Sequence, residues 1–211
     1  MTTAPTAGRN SRRKEQTRAA LVHAAQELLV NGRGQEASIK EITELADVGF
    51  GSFFNHFDNK ADLFDAALTQ VASRYEEWLD LRLKGVNDPL QRLCLSIRHT
   101  GRLHLEHPDD AKLLIGQITF LHAGKPALSD RVRTDVVDAV TFLHPNTPGS
   151  PSVVIAATGA IAAVLGAAAT LPEDDRAQLA DSLVADVLRM IGAGETRIAE
   201  LVAEPLPRDL G

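Results

Sequence analysis

Between Ala37 and Phe64 the chain reads ASIKEITELADVGFGSFFNHFDNKADLF, and few folds accommodate that pattern. Ser38 is a good helix N-cap, and Glu41 three residues later gives the capping-box pattern. Ile39, Ile42, Leu45 and Ala46 recur at helical spacing, which predicts a short helix with one apolar face. Asp47-Val48-Gly49 interrupts that helix and predicts a tight turn with a buried Val48 at its centre. A second short helix is expected from Phe50 to His56, with Phe53 and Phe57 four apart and facing the core together. Asn59 can cap a third helix, with Asp62 three positions on and Leu63-Phe64 opening its apolar stripe. Helix, tight turn and helix of these lengths form a helix-turn-helix candidate.

These residues resemble the DNA-binding head of the TetR family of bacterial transcriptional regulators. The resemblance is carried by Ser38, Ile42, Ala46-Asp47-Val48-Gly49, the run Gly51 to Phe57, Asn59-Lys60 and Leu63-Phe64, and it covers about the first third of the chain. It implies that His56 and Lys60 contact phosphates. It also puts Phe54 where the family usually has Tyr, so a hydroxyl contact is lost or replaced by packing on sugar. Gly49 stands where a Ser N-cap is usual. From the residues themselves, Ser38 can offer its hydroxyl and backbone N–H to a phosphate at a helix N-terminus. Ser52 and Asn55 are the best donors and acceptors for base edges, and Gly51 allows the backbone close to the groove. Phe50 has two readings, a contact to a thymine methyl or a core position.

Charge follows the same division. The chain carries 22 Lys and Arg against 28 Asp and Glu, a formal charge of −6 that looks wrong for a DNA-binding protein. Through residue 60, however, 8 basic residues face 7 acidic ones, so the remaining 14 and 21 place −7 in the rest. The basic excess lies at the start, where Arg9, Arg12, Arg13, Lys14 and Arg18 face only Glu15. Arg12 and Arg13 are therefore added to the DNA-contact set. Cys94 is the single cysteine, which excludes an intrachain disulfide and predicts a cytoplasmic protein, as does the lack of an apolar leader in the first residues.

No stretch alternates at period two, so the expected class is all-α; the resemblance implies an N-terminal three-helix head containing the helix-turn-helix, followed by a larger helical ligand-binding and dimerisation domain. The expected limits are a disordered arm at 1–10, the head at 11–58, the helical domain at 59–203 and a tail at 204–211. The first helix is expected from Ser11 to Val30, and a long helix from Asn59 to Lys84. Others should open at Asp88-Pro89, Pro108 and Pro126, then span Val153–Thr170 and Glu173–Ile191, with a last short turn at Arg197–Val202.

The Val153 helix is rich in Ala and Gly, too poor in Leu, Ile and Phe for a membrane span, and apolar nearly all round. Gly159, Ala163 and Gly166, with Leu183 and Val187 of the next helix, are the expected homodimer interface. The same helix also fits a central position within one subunit. Cys94, Ile97, His104, Ile118, His122 and Val136, with Gln117 on a flank, are the candidate lining of a small-molecule cavity. His104 and His122 fit equally a polar point in a cavity or a satisfied core position. Nucleophile elbows, phosphate loops and paired carboxylates are absent, so no enzyme, cofactor or metal is expected.

The expected function is thus a ligand-responsive regulator, most simply a repressor. It would bind a palindromic double-stranded operator as a homodimer and be released by a small, mostly apolar effector. The alternatives are a small-molecule-binding protein with vestigial DNA binding and a metal-binding all-α protein.

Overall fold

In a computed structural model of the chain, the described residues are 6–34, 36–118, 127–146, 149–168 and 171–206. Among them every regular element is helical: α1 (Thr6–Val30), α2 (Ile39–Leu45), α3 (Phe50–Phe53), α4 (Lys60–Arg82), α5 (Pro89–Glu106), α6 (Pro108–Ile118), α7 (Ala127–Leu143), α8 (Pro151–Ala168), α9 (Glu173–Met190) and α10 (Glu195–Ala203). The all-α class holds. Several limits differ from expectation. Helix α1 begins at Thr6, upstream of Ser11, because Ala, Asn and Arg there are compatible with a helix once Ser11 to Val30 has nucleated it. Helix α3 ends at Phe53, with the next three residues in a turn, and the segment after Gly194 is a helix rather than a turn. Pro126 lies outside the described residues.

The chain divides into two compact units, Met1–Val71 and Ala72–Gly211, and the division falls inside α4.

The first unit is held by an apolar cluster of Leu21, Ala25, Leu28, Ile42, Phe53, Phe57, Leu63 and Ala67, all buried. Local bonds set the angles at which these helices enter. Ser38 Oγ accepts from the Glu41 N–H at 3.2 Å, and Asn59 Oδ1 accepts from the Asp62 N–H at 3.1 Å. Around Asn59 the capping is reciprocal, since its Nδ2 donates to Asp62 Oδ2 at 3.1 Å. Around Ser38 only half the box forms, because the Glu41 carboxylate pairs with Arg33 instead. Gly32 ends α1 at φ +72, where a Cβ would be strained.

The second unit is centred on α5, which packs on α6, α7, α8, α9 and α10. Its core gathers Leu93, Cys94, Ile97, Val136, Val140, Ile161, Val184 and Leu188. Helices α5 and α9 cross closely at Gly101, where a Cβ would sit 2.2 Å from Ala180 Cβ. The crossing is fastened by ions: Arg98 Nε donates to Asp181 Oδ1 at 3.0 Å, and Arg102 Nη2 donates to Asp181 Oδ2 at 2.6 Å. Burial pushes the Asp181 carboxyl up, but the two guanidiniums prevail and hold it below its ordinary value.

Candidate nucleic-acid interface and effector chamber

The turn of the helix-turn-helix is made at Asp47, whose φ of 53 places an L-residue in the left-handed region. Asp tolerates that conformation better than most side chains do. Gly49, by contrast, has an ordinary extended conformation as the N-cap of α3, with no side-chain cap bond. Val48 is half-buried against the head core. The consequence of this turn is a sharp division of α3. Phe53 is fully buried, while Phe50 and Phe54 are each 53% exposed.

Those two exposed rings are ordered against each other, edge to face at 5.8 Å, and Phe54 also meets the buried Phe53 at 5.2 Å. Phe50 is therefore a surface residue, which removes its core reading. Gly51 is exposed, and a Cβ there would meet nothing within 4 Å. Asn55 is exposed and Ser52 half-buried beside them. The outward face of this segment thus combines two aromatic rings, one hydroxyl, one amide and an open backbone.

Cations border the same face. Arg12 and Arg13 are exposed on α1. One turn along, the Arg18 guanidinium lies 5.2 Å from the centre of the Phe57 ring. His56 is held below its ordinary pKa by partial burial, then by Lys14 and Arg18. A neutral imidazole keeps one N–H donor, so His56 can still donate to a phosphate, without adding charge. Lys14 and Arg18 were read in the sequence only as part of the basic excess at the start of the chain. Their spacing of four on one helix was the available sign that they share a face.

Ser38 is exposed, but its Oγ is occupied as an acceptor by the α2 cap. Lys60 is half-buried, and its Nζ donates to the Ala37 carbonyl at 3.0 Å. The ammonium therefore ties the start of α4 to the residue before Ser38, a positional role that its sequence context did not reveal.

In the second unit a narrow pocket of about 10 Å³ lies among α4, α5, α7 and α8. Its apolar wall is Leu79, Leu93, Ile97, Val132, Ile161 and Leu165, and its polar lining is Tyr75, Ser96, Thr100, Arg131 and Asp135. A space of that size holds about one water at most. An open groove of about 360 Å³ lies outside it, bordered by Asn87, Pro89, Arg92, Asp135, Asp138, Thr141 and Phe142. Burial pushes the Tyr75 phenol up to about 12, so it stays protonated, and its oxygen lies 2.7 Å from Thr100 Oγ1.

Of the cavity residues expected from sequence, Ile97 alone lines this pocket among those whose side chains are described. Cys94 and Val136 are buried in the main cluster and border neither the pocket nor the groove. Burial raises the Cys94 thiol to about 11, and its S–H reaches the Leu201 carbonyl at 3.6 Å. His104 is buried on α5 but borders neither cavity. The side chains of Gln117 and Ile118, and the whole of His122, lie outside the described residues. Ser96, Thr100, Arg131 and Asp135 went unselected because each reads, alone, as an ordinary polar residue on a helix, and Tyr75 because it continues the apolar stripe of the long helix. Among the described residues no cluster of His, Cys, Asp and Glu is arranged to hold a metal.

The expected dimer residues also separate. Gly159 and Ala163 are exposed and Gly166 is half-buried on α8, whereas Leu183 and Val187 belong to the chain's own core. Helix α8 is long and apolar enough to cross a membrane by length and composition, yet it packs on α5, α6, α7 and α9. Only 22% of it is buried.

Residues 21–67 match the model described as bacterial regulatory proteins, tetR family. Solved structures share the fold across almost the whole chain. RolR in complex with resorcinol is 24% identical with a TM-score of 0.65, covering 94% of this chain and 98% of that one. A gamma-butyrolactone receptor, an ArpA-like protein, is 20% identical with a TM-score of 0.63, covering 90% and 94%. The TetR-family protein CprB from S. coelicolor A3(2) is 21% identical with a TM-score of 0.61, covering 90% and 100%. No curated protein sequence matches the chain.

Proposed function

We propose that this protein is a repressor that binds a palindromic operator as a homodimer and releases it when a small molecule enters the helical unit. The observation that carries the DNA-binding part is the division of α3, which buries Phe53 and turns Phe50, Phe54 and Asn55 outward beside a basic helix face. Ser52 and Asn55 read base edges, and Phe50 and Phe54 pack on thymine methyls and sugars. Arg12, Arg13 and His56 hold phosphates, with Ser38 offering the dipole of α2 and Lys60 keeping that helix end in place.

Pairing is assigned to α8. Ile155 is 71% exposed, and Ala156, Gly159 and Ala163 continue the same apolar surface along the helix. A second copy would cover it, and small residues let two such helices approach closely. The α9 contribution comes from its exposed Gln178, Ser182 and Asp186 rather than from Leu183 and Val187. Ala163→Trp, on an exposed position, should give folded monomers that bind the operator poorly; an unchanged dimer in sedimentation would move the interface.

Effector binding is supported by the mixed polar and apolar lining of the inner space, which must widen to admit more than one water, and by two neighbours whose known ligands are small molecules, resorcinol for RolR and a gamma-butyrolactone for the receptor. Helix α4 supplies Tyr75 and Leu79 to the pocket and begins beside the recognition segment, so its displacement can change the spacing of paired heads. The test is a mobility shift on the promoters of the protein's own and neighbouring genes, over a range of salt. His56→Ala should weaken all sequences alike, while Asn55→Ala should change base preference. Absence of a shift on any of these DNAs, with the head folded, would refute the reading.

A further inference from the structure

Four charged side chains from three helices close into a ring of alternating sign at the polar end of the inner pocket. Asp80 Oδ1 of α4 lies 3.5 Å from Arg92 Nη2 and 2.9 Å from Arg131 Nη2. Asp135 Oδ1 lies 3.4 Å from Arg92 Nε, and its Oδ2 3.6 Å from Arg131 Nε. Asp135 is only 4% exposed, and it also accepts a hydrogen bond from Ser96 Oγ at 2.8 Å. Arg131 is less well served. Its Nε and Nη2 are buried, and neither N–H is aligned on a hydrogen-bond acceptor. At Nη2 the guanidinium still meets Asp80 Oδ1 at 2.9 Å, while at Nε it is held by the charge of Asp135 at 3.6 Å.

The ring is also a partition. Asp135 borders both the inner pocket and the outer groove, Arg131 borders the pocket, and Arg92 borders the groove. A ligand larger than one water must part these walls, and what it does to the ring decides which chemistry is accepted. A purely apolar molecule would separate Asp135 from Arg131 and offer neither charge a replacement, leaving Arg131 only Asp80 and Asp135 only Arg92 and Ser96, which opposes binding. A carboxylate would pair with Arg131 but place a third anion beside Asp80 and Asp135. A hydroxyl satisfies both sides at once, accepting from Arg131 and donating to Asp135. At the other polar point, Tyr75 and Thr100 already exchange one hydrogen bond and can receive a second hydroxyl. The rest of the lining is the apolar wall of Leu79, Leu93, Ile97, Val132, Ile161 and Leu165, against which the apolar part of such a ligand would pack.

We propose that the Asp80–Arg92–Asp135–Arg131 ring, with Tyr75 and Thr100, is a binding site for small neutral molecules that carry two hydroxyl groups on an apolar ring. This deepens the effector reading above and names the chemistry of that site, but its test uses no DNA. The full-length protein is titrated with the ortho, meta and para dihydroxybenzenes, phenol, toluene and benzoate, followed by calorimetry and by the fluorescence of Trp78, the sole tryptophan.

At least one dihydroxybenzene should bind about tenfold or more tightly than toluene, with phenol between them and benzoate weakest. Arg131→Gln and Asp135→Asn should each remove that preference while helical content is kept. Should Asp135→Asn fail to fold, Ser96→Ala removes one bond to the same carboxylate and should weaken the preferred dihydroxybenzene by several-fold. Toluene or benzoate binding as tightly as every dihydroxybenzene, no binding of any of the three, or an unchanged preference in the folded variants would overturn the site. A protein that binds a dihydroxybenzene but shifts no promoter DNA loses the regulator reading and keeps this site. One that shifts DNA but binds none of the three loses the site alone.

Discussion

The two units of this chain bury different things. In the first, Thr43 is the one buried polar side chain among the described residues, and it bonds within its own helix turn to the Lys40 carbonyl. In the second, Ser96, Arg98, His99, His104 and Asp135 are all buried, four of them on α5. The head is a small apolar frame whose polar and aromatic chemistry points outward, toward a large rigid polymer. The helical unit turns its polar groups inward, where only something small can reach them. Buried polar groups are costly unless partnered, so their concentration on one central helix marks where a molecule from outside could change the balance.

Removing the frame should have the largest effect. Phe53→Ala deletes a fully buried ring from the head core and should cost about 3–5 kcal/mol of that unit's stability. Operator binding should be lost, while Trp78 fluorescence, which reports the helical unit, should still show its own melting transition. Simultaneous loss of both transitions would show that the units do not hold separate cores.

Acid should distinguish the units next. His99 is buried with its Nε2 lacking a hydrogen-bond partner and its ring against Trp78 at 6.0 Å. Burial first, then Arg82 and Arg102, depress its pKa to about 4. The unfolded chain takes up that proton near the ordinary value of about 6.5, so it binds more protons than the folded one in between. Stability of the helical unit is therefore fully present above about pH 6.5 and falls as pH drops toward 4, by about 2 kcal/mol at pH 5. Melting temperatures recorded by Trp78 between pH 7 and pH 5 should show this slope, and His99→Leu should flatten it. An equal slope in the variant would assign the acid sensitivity elsewhere.

The smallest effect is a gain. Asp47→Gly places glycine at φ 53 in the turn and should stabilise the head by about 0.5–1 kcal/mol without altering which DNA it selects. A changed base preference would mean that Asp47 does more than make the turn.

How far the sequence reached depended on the range of the interactions involved. Caps at Ser38 and Asn59 span three residues, so their donors and acceptors stand side by side in the text, and both form. The apolar repeat of α5 and the break at Asp47-Val48-Gly49 are likewise local. Where the expectation failed, the cause lay in neighbours from elsewhere in the chain. Leu183 and Val187 lie on a stripe that any partner helix could cover, and it is this chain's own core that covers them. Cys94 and Val136 were chosen as apolar residues on inward faces, and inward they are, but sealed into the core away from the pocket.

By itself, then, the sequence determined the helix-turn-helix, the all-α class and the separation of a basic start from an acidic remainder. Periodicity, capping and charge are properties of short windows. Tertiary structure alone decided that Lys60 reaches the Ala37 carbonyl and that Phe50 faces outward. It also brought Asp80, Arg92, Asp135 and Arg131 together. On separate helices each of these four reads as a solvated charge; attraction at close range and loss of water make them a site only once packing has placed α4, α5 and α7 side by side.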